Sequence, residues 1–259
     1  MYIKPGTDLS MLADRILYYP FALRDWKEPL ELFREHIAEF WFVDCDYRFS
    51  LDGGRMRGAN FPGMVLIERS FSGALRKIEQ VRCTERSHPY RYVEPGYARY
   101  RYLYWGREIS VIFRRGFDYT SLYGPSTLET AEARLGIFFF RGTSSEGGSD
   151  HPWVDSQTRR MLCDGTRINL LKKLIGTLPD GGLIVTDGSN SCRADTPGIE
   201  QKEYYPFFRF HAARIPCEEA AALSGPFFDR DGNRFTCIGH AGMRYGPTLI
   251  WQICKRADA

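Results

Sequence analysis

Between residues 141 and 151 the chain reads RGTSSEGGSDH, directly after the apolar run 136-GIFFF-140. An arginine, several hydroxyls, glycines, two acids and a histidine in one loop are the ingredients of an anion or sugar site. Arg141 can clamp a carboxylate or phosphate through its planar fork. Ser144, Ser145, Glu146 and the backbone amides about Gly142 can hydrogen-bond a polar ligand. His151 titrates near neutral pH and can move a proton. Two more specific chemistries fail on spacing. No lysine follows the glycines, so this is no P-loop phosphate cradle. Gly142 and Ser144 are followed by Glu146 where a nucleophile elbow needs glycine. The same composition also reads as a surface exit loop that Gly147 and Gly148 turn.

A second polar cluster, 187-DGSNS-191, follows the apolar run 183–186. Asp187 can serve there as a general base, with Ser189 and Asn190 hydrogen-bonding substrate. The letters D-G-S-N equally encode an Asx-type turn. Asp44 ends the run 40-FWFVD-44, placed to take a ligand hydroxyl or to cap a nearby amide. Asp46 makes a D-x-D with it, which is too little to define a metal site. The stretch 229-DRDGNRF-235 starts like a calcium loop but lacks the distal glutamate, so a D-G hairpin turn accounts for it better.

Elements must hold these residues in place. Residues 15–19 (RILYY) form a short apolar strand ending at Pro20. A helix is expected from Pro29, with Leu30, Phe33, Ile37 and Phe40 on one face at three- and four-residue spacing. The strand 40–44 follows, and a strand–helix–strand unit of this length implies a parallel pair. Residues 97–105 and 108–113 read as strands of a hairpin about Gly106. Tyr100, Tyr102 and Tyr104 then share one face, and Arg99 and Arg101 the other. Residues 136–140 suit a strand buried on both faces. A helix ending near Leu178, the turn 179-PDGG-182 and the strand 183–186 come next. Residues 235–238 and 248–254 look like an antiparallel pair.

Composition limits the partners. With 43% hydrophobic and 26% charged residues the 259-residue chain is of the soluble globular kind. It has no apolar run of membrane-spanning length, and MYIKPGTDLS has no signal-peptide core, so a cytoplasmic protein without a membrane partner is expected. The 7 cysteines form no CxxC pair and are odd in number, so neither a disulfide framework nor a zinc knuckle is indicated. Residues 82–116 carry eight arginines against three acids, a larger surplus than the +3 of the whole chain. Arginines interleaved with tyrosines suit single-stranded nucleic acid. The favoured reading is plainer: a half-exposed hairpin with aromatics inward and arginines in solvent.

Strand–helix alternation ending in an antiparallel pair resembles the Rossmann-like class I S-adenosylmethionine-dependent methyltransferases. The stretch 170-LLKKLIGTLPDGGLIVTDGS-189 looks like that superfamily's helix, L-x-P-G-G turn and fifth strand, and 235-FTCIGHAGMRYGPTLIWQIC-254 is similar to its closing strand pair. On the same mapping 40-FWFVDCD-46 fits the second strand and 136-GIFFFRG-142 the fourth. The resemblance implies one α/β domain over residues 1–259, a three-layer α/β/α sandwich. Its central sheet would be mostly parallel, with an antiparallel C-terminal pair and a β-rich insertion at about 48–125. It further implies S-adenosylmethionine as cofactor, with Asp44 on the ribose and Tyr19, Pro20 and Gly142 lining the site. One departure stands out. The family's glycine-rich first turn lets backbone approach the cofactor, whereas 18-YYPFALRDWKEP-29 has no glycine and sets Phe21, Leu23 and Trp26 there. Two functions therefore stay open. One is a methyltransferase-like protein binding a nucleotide-type cofactor at the carboxyl edge of its sheet. The other is a non-catalytic binding or interaction protein on a degenerate form of that scaffold.

Overall fold

A computed structural model describes residues 1–20, 27–44, 74–84, 96–115, 134–140, 175–186, 216–223, 225–229, 231–241 and 248–256. The chain divides into two compact units, Leu12–Arg134 and the combination of Met1–Met11 with Leu135–Ala259.

The Leu12–Arg134 unit is built on β2 (Arg15–Pro20), β3 (Ile37–Asp44), β4 (Leu75–Thr84), β5 (Gly96–Tyr104) and β6 (Arg107–Arg115). They lie in the order β2-β3-β6-β5-β4. β3 runs parallel to both β2 and β6, as the sequence led us to expect for the first pair. β6, β5 and β4 form an antiparallel meander. Helix α1 (Lys27–Phe33) follows β2, with Pro29 in its first turn and Leu30 and Phe33 facing the core. It is shorter than the apolar spacing predicts. Ile37 and Phe40 are buried as members of β3, where the aromatic run Phe40–Trp41–Phe42 fits a pleated surface.

The β5–β6 hairpin is the one the alternation predicts. Tyr100, Tyr102 and Tyr104 are buried, while Arg99 is exposed. Its turn places Trp105 at φ 49° and Gly106 at φ 81°, the pair of positive φ values that a type I′ turn requires. No atom lies within 4 Å of a Cβ built on Gly106, so its cost is purely conformational. Gly106→Ala is expected to destabilise by about 1–2 kcal/mol in a urea titration. β4, last in the order, carries exposed Arg76, Lys77 and Glu79 and a register shift that leaves Ile78 exposed. Charge and irregularity of this kind blunt an edge strand against pairing with another chain.

The other unit holds β1 (Tyr2–Ile3), β7 (Leu135–Phe140), β8 (Leu183–Thr186), β9 (Phe227–Phe228), β10 (Arg234–Ala241) and β11 (Thr248–Cys254). Their order is β1-β10-β11-β8-β7, with β9 also on β10. β7 and β8 are parallel, and β8–β11 and β11–β10 are antiparallel. Ile137, Phe138 and Phe139 are all buried, as their unbroken apolar run predicts for β7. The 179–182 turn has Gly181 at φ 77° and a Gly182 N–H to Pro179 carbonyl bond of 2.9 Å. Helix α2 (Cys217–Ala222) turns Cys217, Ala220 and Ala221 inward. Lys4 ties the N-terminal segment down, its Nζ donating to the Ala221 and Cys237 carbonyls at 2.8 and 3.0 Å.

These elements correct the expected fold class. Strands dominate the described residues and the helices among them are few and short, so this is not a Rossmann-like three-layer α/β/α sandwich. The physical reason lies in the segments themselves. The helices among the described residues are too short to cover a sheet face, α1 having 7 residues and α2 having 6. The middle of the chain, meanwhile, supplies the longest strands. Descriptions built on that sandwich, as an alpha/beta methyltransferase using S-adenosylmethionine, lose their structural footing with it.

Candidate functional site

In the Leu12–Arg134 unit three adjoining parallel strands end together. Tyr19 lies opposite Phe42 and Pro20 opposite Val43, one step before β3 ends at Asp44. Asp44 in turn is the register partner of Arg115, the last residue of β6. Tyr19, Pro20 and Asp44, singled out separately in the sequence, therefore share one carboxyl edge, with a basic residue beside the acid. The strand that delivers Asp44 is held by its own side chains. Trp41 is buried, and its indole Nε1 donates to Glu39 Oε1 at 2.5 Å.

The other unit has an edge of the same kind. Phe140 and Thr186, the last residues of β7 and β8, are register partners. β11 starts at that edge, with Leu249 opposite Thr186 and Thr248 opposite Ala241, the last residue of β10. The chain thus leaves β7 and β8 at one place, toward the two polar clusters of the sequence. Arg141, Gly142, Ser144, Ser145, Glu146, His151, Asp187, Ser189 and Asn190 themselves lie outside the described residues. One group at this edge escaped the sequence reading. Thr248 is fully buried, and its hydroxyl has no hydrogen-bond partner among the described residues. Such an orphan costs about 1–3 kcal/mol.

In the described part of the basic hairpin, Tyr100, Tyr102 and Tyr104 face inward. Buried tyrosines cannot stack on bases, and Arg101 is neutralised on both sides, at 2.9 Å from Glu79 and 2.7 Å from Glu108. Its hydrogen bond to Glu79, with Glu108 adding to it, raises its pKa further. What the tyrosine pattern conceals is the tip. Trp105 is 68% exposed, and the Arg34 guanidinium lies 5.5 Å from its ring centroid and 5.9 Å from that of Tyr104. Arg107 donates to the Arg34 carbonyl at 2.6 Å, which fastens the end of α1 to the hairpin. Burial, reinforced by the Glu31 carboxylate, pushes the Tyr104 phenol above its ordinary value against the pull of Arg34 and Trp105.

The remaining polar motifs are structural. Asp229 accepts from the Asn233 backbone and side-chain nitrogens, both at 2.8 Å. Among the described residues no group of three His, Cys, Asp or Glu is placed to hold a metal ion. The His240 ring lies against that of Tyr2, with centroids 5.2 Å apart and planes tilted by 38°. Burial raises the Cys237 thiol pKa, so it is a core residue and not a thiolate. No helix among the described residues is long and apolar enough to cross a membrane.

The chain matches no family model, no curated protein and no solved structure.

Proposed function

We propose that the chain binds a nucleotide-type ligand at the carboxyl ends of its parallel strands. The observation that carries this reading is the level ending of β2, β3 and β6, with Asp44 at the edge beside Arg115. Open parallel sheets bind ligands beyond these ends because side chains and loops from several strands converge there. An acid so placed suits the hydroxyls of a ribose, with Tyr19 and Pro20 flanking it. As a separate candidate, the other unit offers Arg141, Ser144, Ser145, Glu146, Ser189 and Asn190 for the polar groups of a substrate, with Asp187 and His151 as the proton-transfer pair. S-adenosylmethionine is the first probe, as a nucleotide-type ligand whose ribose carries the hydroxyls that an acid at position 44 would take. The second reading, a non-catalytic binding protein, is favoured by one observation, the absence of glycine from 18–29.

Calorimetry separates them. With S-adenosylmethionine, S-adenosylhomocysteine or adenosine 5′-monophosphate, the wild type is expected to bind. Asp44→Ala should weaken that binding by about 1–3 kcal/mol, the cost of leaving ligand hydroxyls unpaired. Absence of heat at millimolar concentration of all three would hand the function to the non-catalytic reading.

A further inference from the structure

We propose that Arg115 receives a phosphate, so that the ligand held at the Asp44 edge is a phosphorylated ribose, a nucleoside monophosphate and not a bare nucleoside. The inference rests on the nucleotide reading above and narrows it, wholly within the Leu12–Arg134 unit. Register places the residues. Paired residues lie on one face of a sheet, and along each strand every second residue returns to that face. Leu17, Phe40, Val111 and Tyr100 make one such row across β2, β3, β6 and β5, and all four are buried. Two residues nearer the carboxyl edge, the row on this face is Tyr19, Phe42, Phe113 and Ala98. The last row on it is Asp44, Arg115, Gly96 and Thr84, across β3, β6, β5 and β4. A face that is apolar and aromatic for two rows thus turns into an acid, an arginine, a glycine and a threonine at the strand ends. Charge does not serve a packed core, and the change falls where parallel strands receive ligands. Each residue type suits one part of a ribose phosphate. Asp44 takes sugar hydroxyls, and Arg115, one strand away at about 5 Å, offers a phosphate the planar fork that binds it in two places. Gly96, paired with Arg115 and without a side chain, lets a bulky phosphate approach the backbone of β5. Thr84, beyond it, adds a hydroxyl donor. An ion pair between Asp44 and Arg115 alone would need neither the glycine nor the hydroxyl.

The test uses the full chain and calorimetry with adenosine 5′-monophosphate and adenosine. The wild type is expected to bind the monophosphate about tenfold more tightly, because adenosine lacks the group that makes the charge-assisted contact. Equal affinity overturns the assignment and leaves the nucleotide reading standing. A wild type that binds neither overturns both. Arg115→Gln is expected to lower the ratio of the two affinities about tenfold. Arg115→Lys, which keeps the charge without the fork, should lower it less. Arg114→Gln is the control, because position 114 carries the same charge on the opposite face, in register with Val43. Its ratio should stay close to that of the wild type. An equal fall in both glutamine variants would reduce the effect to net charge. An equal loss of both ligands from Arg115→Gln would make Arg115 a partner of Asp44 only. Either result overturns the proposal.

Discussion

Replacing Gly239 by alanine is expected to destabilise the protein by about 2–3 kcal/mol, at the upper end of the usual cost of overpacking. A Cβ at this position would stand 2.1 Å from the Tyr2 carbonyl oxygen and 2.9 Å from the Ile3 Cα. Both atoms belong to backbone, so no rotamer change relieves the contact. Gly239 is the ladder partner of Ile3, and the neighbouring Ile238 carbonyl accepts from the Lys4 N–H at 2.7 Å. The least costly response is for β1 to lift off β10. Urea denaturation would measure the loss directly. The same substitution in a chain lacking residues 1–3 should cost under about 1 kcal/mol, because coupled sites are not additive. Equal losses in the two backgrounds would show that β1 does not lie against Gly239.

Trp251→Ala is expected to cost more, about 3–5 kcal/mol, as large-to-small changes in a packed core do. Trp251 is fully buried in β11, opposite Cys237, with its ring edge-on to Phe227 at a centroid distance of 5.7 Å and an interplanar angle of 74°. Truncation removes the transfer energy of the largest core side chain and leaves a cavity among β-strand neighbours that cannot collapse freely. Trp251→Phe should recover roughly half, because a smaller ring still meets Phe227. Thermal unfolding followed by far-UV circular dichroism avoids the loss of the tryptophan's own fluorescence. A deficit below about 1 kcal/mol for the alanine variant would exclude a core position.

The sequence was most legible where one pattern admits only one element. The period-two alternation through Tyr100, Tyr102 and Tyr104 specifies a half-buried strand, and β5 follows it. The apolar run at β7 and the antiparallel pair β10–β11 were equally plain. Reading failed where a spacing serves two periods. Leu30, Phe33, Ile37 and Phe40 mark a helical face, yet the last two belong to β3, whose aromatic and branched residues override the spacing. β4 was invisible for another reason. LRKIEQVRCT has no apolar alternation, because pairing with β5, and not its own face, makes it a strand. The arrangement of helices as layers on both faces of a sheet came from the resemblance, and it is what the structure overturns. At the site, Tyr19, Pro20 and Asp44 were legible as strand ends. Thr248 was not, since a threonine opening a strand is ordinary until its burial is known.

The two units differ in how synthesis delivers them. Leu12–Arg134 is one uninterrupted stretch, and all of its strands have been made before residue 135 is added. The other unit is split by it, because Met1–Met11 belongs with Leu135–Ala259. On the ribosome the first eleven residues therefore emerge long before the strand they pair with. Lys4 and Cys237 are 233 positions apart. Closing a loop of that length costs about 2 kcal/mol more than closing one of twenty residues, because the entropy grows only logarithmically. The order of assembly follows from connectivity alone. The central unit can fold while the chain is still being extended, and the N-terminal segment docks last, onto a sheet whose other strands must be made first.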